Sequence, residues 1–148
     1  LVALPGPPVV VGGETPRLTA YRLPVAGRLV TGLGEVSDNG VRARGLTFAV
    51  APSARIVAPA TGRVVFAGPF RAYGQLLIIE HSEGYHTLLA GLSRIDTTVG
   101  QRLLSGEPVG IMDPAADAAP SLYVELRRNG QPINPLPWLA ARKGKANG

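Results

Sequence analysis

Glycine and proline interrupt this chain so often that no long amphipathic helix fits before residue 136. Its 19 glycines and 14 prolines fall between short runs of valine, isoleucine and leucine, a pattern that reads as strands joined by tight turns. The expected strands are "RLPVAGRLV" (22 to 30), "RGLTFAV" (44 to 50), "ARIVAP" (54 to 59), "GRVVFAG" (62 to 68), "GQLLIIEH" (74 to 81), "YHTLLAG" (85 to 91), "EPVGIM" (107 to 112) and "SLYVELRR" (121 to 128). The fold class is mainly β. A short C-terminal helical turn is expected at "LPWLAAR" (136 to 142), with Trp138 as a core plug.

Within this set, "GQLLIIEHSEGYHTLLAGL" reads as a hairpin with "SEGY" at its tip. Its first strand is apolar at both parities, Leu77 and Ile79 against Leu76 and Ile78, as a central strand covered on both faces would be. In "SLYVELRRNG" the alternation is cleaner. Leu122, Val124 and Leu126 fall on one face, and Ser121, Tyr123, Glu125 and Arg127 form a polar row on the other, about 20 Å long at roughly 3.3 Å per residue. Gly100 and Gly106 bracket short apolar runs, where tight turns need positive φ.

The length of 148 residues and hydrophobic content of 45% suit one domain with a real core. Residues 1–20, rich in Pro and Gly, read as a linker or loosely attached arm; 21–140 form the domain and 141–148 a basic flexible tail. The longest apolar runs fall far short of the roughly 20 residues that a helix needs to cross a bilayer. Beginning at Leu1 without a signal segment, the chain reads as a fragment or a mature form. Cysteine is absent, which excludes disulfides and thiolate metal sites. The net charge of +5 rests on 13 arginines and two lysines, Lys143 and Lys145. Arginine suits bidentate pairing with carboxylates and phosphates, so the bias fits an acidic partner, or equally a GC-rich coding sequence. Nucleic acid is not expected, because the arginines are scattered and no aromatics interleave with them.

Catalytic chemistry is sparse. Two histidines, His81 and His86, flank the hairpin tip and are expected to face each other across the ladder with Glu80 or Glu83 nearby; a pair alone is weak ground for a metal site. No nucleophile elbow, phosphate-binding loop or dinucleotide fingerprint occurs. "GRVVFAG" followed by "VGQRLLSGEPVGIM" echoes biotinyl and lipoyl carrier domains, but a carrier needs an acceptor lysine and none precedes residue 143.

The blocks "RGLTFAVAPSARIVAPATGRVVFAG", "AYGQLLIIEHSEGYHTLLAGLS", "VGQRLLSGEPVGIM" and "SLYVELRRNGQPINPLPWL", in that order, resemble the LytM or lysostaphin-like zinc metallopeptidase domain from about residue 24 to 139. The resemblance implies antiparallel sheets forming a groove. In active members the zinc ligands come from "HxxxD" and the second His of "HxH", with further histidines in "YAHLS" and "HxH" serving catalysis. Here "ARGLT" puts Ala43 and Thr47 at ligand positions and "SLY" puts Tyr123 at the third; "LAGLS" leaves Gly91, and "SLY" leaves Ser121, at the catalytic ones. His81 matches a family histidine that is not a zinc ligand. No metal, cofactor or catalytic residue is therefore expected.

With "RGL" and "LYxELRRNGQPxNPxPWL", these departures are similar to the degenerate LytM domain of EnvC-type murein hydrolase activators. That likeness implies a non-catalytic periplasmic protein that docks onto cell-wall N-acetylmuramoyl-L-alanine amidases through the former substrate groove and stimulates peptidoglycan hydrolysis during division. Peptidoglycan itself and an upstream regulatory membrane complex are further implied partners. The implied groove residues are Arg44, Thr47, Tyr73, Leu76 and Leu89 beside Ser121, Tyr123, Glu125 and Arg127. A passive peptidoglycan-binding scaffold and an active zinc endopeptidase stand as alternatives.

Overall fold

The computed structural model describes residues 21–36, 40, 42–115 and 119–137. Among the described residues eleven strands carry the fold: β1 (Gly27–Thr31), β2 (Leu46–Val50), β3 (Arg55–Val57), β4 (Gly62–Pro69), β5 (Gln75–Glu80), β6 (Tyr85–Leu92), β7 (Arg94–Ile95), β8 (Arg102–Leu103), β9 (Pro108–Ile111), β10 (Ser121–Arg128) and β11 (Gln131–Ile133). The larger sheet runs β1-β2-β10-β6-β5-β4-β8, with β11 paired to β10; a smaller sheet runs β3-β9-β7. Among the described residues every pairing is antiparallel, so none of them needs the crossover helix that joins parallel strands.

The main core lies between the sheets. Leu46, Phe48, Leu77, Ile79, Leu89 and Val124 from the larger sheet meet Ile56 and Val109 from the smaller one. Leu122, Val124 and Leu126 are buried as alternation requires. A second cluster gathers Tyr21, Ala60, Tyr85 and Leu126. Tyr21 is 1% exposed, so the packed unit includes it.

The sequence places the long strands well and the start of the first one less well. Residues 22–26, expected in the first strand, precede it: Leu23 is exposed, and Pro24 offers only its carbonyl, which accepts from Val57 N–H at 2.8 Å. Of the expected C-terminal helical turn only Leu136 and Pro137 are described, and both are helical. Trp138, the arm 1–20 and the tail 141–148 lie outside the described residues.

Candidate functional site

The outward face of the larger sheet carries a groove of about 520 Å³, and strand register arranges its floor in three rows. Directly opposed residues of an antiparallel ladder project from the same face, so each row can be followed from strand to strand. The first runs Thr47, Tyr123, Ala90, Leu76 and Gly68. Two residues along, roughly 7 Å, the second runs Glu125, Leu88, Ile78 and Phe66. A third holds Arg127, His86, Glu80, Arg63 and Arg102.

Leu76, Ile78, Leu88 and Ala90 form a compact apolar patch with Val65, Phe66 and Tyr123 packed against it. Above it stand aromatic side chains on a 3-10 turn, Arg71–Tyr73. Tyr73 lies 6.0 Å from the Phe70 ring and 6.3 Å from the Tyr123 ring, both tilted, and Phe70 meets Phe66 edge-on at 5.8 Å. Such contacts hold bulky rings at low conformational cost. Phe70 and Tyr73 remain partly open, at 44% and 39% exposure.

Glu125 is the surprise of the polar row, being only 1% exposed. Tyr123 donates its hydroxyl hydrogen to Glu125 Oε1 at 2.6 Å, and Arg127 Nε donates to Oε2. A buried carboxylate needs such partners, because ionisation without them is very costly. Burial, reinforced by the bond to Glu125, raises the Tyr123 phenol well above its ordinary pKa. Its hydroxyl therefore stays protonated and committed to the carboxylate.

The fold family's metal does not fit these residues. Zinc needs three protein ligands of imidazole, carboxylate or thiolate type. Ala43 offers a methyl group, Thr47 a neutral hydroxyl, and Tyr123 a protonated phenol already bonded to Glu125. Among the described residues no three His, Cys, Asp or Glu side chains gather as a metal cluster needs. Gly91, where the resemblance puts a catalytic histidine, has φ +105°, and a Cβ there would come 2.5 Å from the carbonyl oxygen of Ser121.

The two histidines do not face each other, which corrects the expected pairing. His86 lies on the groove face, its Nε2 3.8 Å from Glu80 Oε2. His81, beyond the end of β5, turns toward the second cluster. Its Nδ1 is 2.8 Å from the Thr61 carbonyl, which can only accept, so Nδ1 carries the hydrogen. Nε2 then accepts from Thr87 Oγ1 at 2.7 Å, and Thr87 in turn accepts from the Tyr21 hydroxyl at 2.9 Å. Burial lowers the His81 pKa to about 4, against the pull of the Thr61 bond. Burial lowers that of His86 too, with Glu80 opposing.

Of the residues expected in the groove, Tyr73, Leu76 and Arg127 line it, and Tyr123 closes one end against Tyr73. Glu125 lies beneath them. Thr47, paired with Tyr123, and exposed Ser121 continue the same face beyond that end, and Arg44 is exposed in the bend before β2. Leu89 is a correction: it is fully buried in the main core, because Val124 is its register partner, while Leu88 opposite Glu125 takes the groove position. Leu88, Ile78, Phe66, Phe70 and His86 were not anticipated. Counting alternation outward from Tyr123 through the hairpin would have found Leu88, Ile78 and His86.

A model of Peptidase family M23 matches residues 41–135. The murein hydrolase activator EnvC of Escherichia coli is 32% identical over 86% of this chain and 30% of its own length. The lipoprotein NlpD/LppB homolog of Pseudomonas aeruginosa is 32% identical over 91% of this chain and 44% of its own. The chain thus spans less than half the length of these relatives. The catalytic domain of lysostaphin from Staphylococcus simulans superposes with a TM-score of 0.66 at 21% identity, covering 77% of this chain and 92% of that domain, a likeness of fold alone. With sheet, groove and sequence in agreement, the chain belongs to Peptidase family M23.

Proposed function

We propose that this domain is a non-catalytic activator of cell-wall hydrolysis, docking onto periplasmic N-acetylmuramoyl-L-alanine amidases through the groove and stimulating them during division. The observation that carries the reading is an apolar, aromatic groove on a family scaffold whose ligand positions hold Ala43, Thr47 and Tyr123. Relatives named murein hydrolase activators support it. Half-open aromatics over an apolar floor are the usual anchors of a protein interface.

The test adds the purified chain to a panel of such amidases and follows dye release from labelled sacculi. Wild type should stimulate at least one amidase. Tyr73→Ala should lose about 2 kcal/mol of binding, roughly thirtyfold, with its fold intact. Undiminished stimulation by Tyr73→Ala would remove the groove from the mechanism. Sacculus binding without stimulation would favour a passive scaffold, and equimolar zinc with muropeptide cleavage an endopeptidase.

A further inference from the structure

The third row crosses five neighbouring strands without a break, from Arg127 through His86, Glu80 and Arg63 to Arg102. At roughly 4.8 Å per strand it is about 19 Å long. Its charges are unevenly satisfied. Arg127 is engaged by Glu125, and Arg63 Nη2 lies 3.1 Å from Glu80 Oε1. Arg102 is exposed and makes no ion pair with a described residue. It stands directly opposite Arg63, and like charges so placed repel.

Glu80 lines both the apolar groove and an adjoining depression of about 460 Å³ bordered by Thr61, Ser82, Arg63 and Arg102. The two cavities meet at that residue. One is apolar and aromatic; the other is lined mostly by polar and charged residues and carries Arg102, which has no ion-pair partner among the described residues.

Resting on the docking reading above, we infer that the occupant is an amphipathic peptide segment of the partner, held in one direction only. Its apolar side chains cover Leu76, Ile78 and Leu88, and an Asp or Glu beyond them pairs with Arg102 and Arg63. A carboxylate there relieves the repulsion between the two guanidinium groups and gains a planar, bidentate partner. An anionic glycan would satisfy the arginines but would set hydroxyls against the leucine and isoleucine floor. Arg127, already held by Glu125, is a positioning residue in this arrangement, and Arg102 the one that selects the acid.

Affinity of the full chain for the same amidases, measured by calorimetry at low and high salt, tests this. Arg102→Glu should weaken binding at least tenfold and flatten its salt dependence, while Arg102→Lys loses much less. Melting should not fall, because Arg102 is exposed and unpaired among the described residues and its replacement relieves the repulsion from Arg63. Arg55→Glu on β3, in the other sheet, should bind like wild type. If Arg102→Glu binds as tightly as wild type while Tyr73→Ala does not, the groove docks the partner but the row does not orient it. If Arg102→Glu loses binding to sacculi and keeps binding to amidase, the arginines serve a glycan and the inference fails. No amidase binding by the wild-type chain overturns both readings.

Discussion

On one side of β10, Leu122 and Val124 pack in one cluster with Leu89 and Leu77, with the smaller sheet behind them; on the other, among the described residues, Leu88, Ile78 and Leu76 are covered only by side chains of their own sheet and the turn beside it. Neighbouring leucines are almost equally buried, Leu89 at 0% exposure and Leu88 at 5%. The cover differs in kind. Between the sheets it is close-packed backbone and side chain, which cannot be displaced without opening the fold. Over the groove it is a few rings and charged groups that can turn aside. Burial alone therefore does not separate core from groove floor; what does is whether the covering atoms belong to a second layer.

The sharpest challenge to that division is Arg127, which lies on the groove face yet supports the fold. Arg127→Glu should destabilise the domain by about 3 to 5 kcal/mol, because it leaves the buried Glu125 carboxylate unpaired beside a second negative charge. Alternation alone, which sets Arg127 opposite the Leu122, Val124 and Leu126 face, would not predict such a loss; the burial of Glu125 does. Urea denaturation measures it; an unchanged midpoint would show that Glu125 does not depend on the pair.

Leu89→Ala and Leu88→Ala test the two covers directly. Truncation at Leu89 should cost about 2 to 4 kcal/mol, transfer and cavity terms together. At Leu88 the cost should be nearer 1 kcal/mol, since rings and water can fill the opened space, and only this variant should lose amidase binding. Equal costs would erase the distinction between the faces.

A smaller effect separates the histidines. With a folded pKa near 4, below the unfolded value of 6.5, His81 binds its proton more readily in the unfolded chain. Its contribution is complete above pH 6.5 and declines as pH falls toward 4, by roughly 2 kcal/mol at pH 4.5. Burial is the main cause of that shift; besides it, a second ring hydrogen would point at Thr87, leaving one hydrogen of the Tyr21–Thr87–His81 chain without an acceptor. Chemical melts of wild type and His81→Gln between pH 7.5 and 4.5 read this, with a flatter curve expected for the variant. Parallel curves would mean that the chain of hydrogen bonds does not select neutral imidazole.

Much of the architecture was legible because "QLLIIE" and "SLYVELRR" fill whole strands with β-favouring residues, and glycine marks the turns between. β7, β8 and β11, of two or three residues each, were not, since a ladder so short has no periodicity of its own and exists only because a longer partner is already placed. The site was half legible. "YGQL" and "SLYVELRR" gave Tyr73, Leu76 and Tyr123, but "TLLAG" is apolar at both parities, so only the register Val124 to Leu89 decides which leucine faces the groove. The burial of Glu125 escaped sequence reasoning because it depends on Tyr123 and Arg127 closing over it from both sides along the same strand.

Gly91 carries a consequence for descent. On the reading that active relatives place a histidine there, restoring catalysis would take more than new ligands at 43, 47 and 123. The backbone at 91 holds a positive φ that side-chained residues rarely adopt, and β10 lies close enough that a Cβ would strike the Ser121 carbonyl. A reverting histidine would meet strain before it met metal. On that reading the main chain at 91, and not only the side chains at 43, 47 and 123, would have to change before the site could take up zinc chemistry.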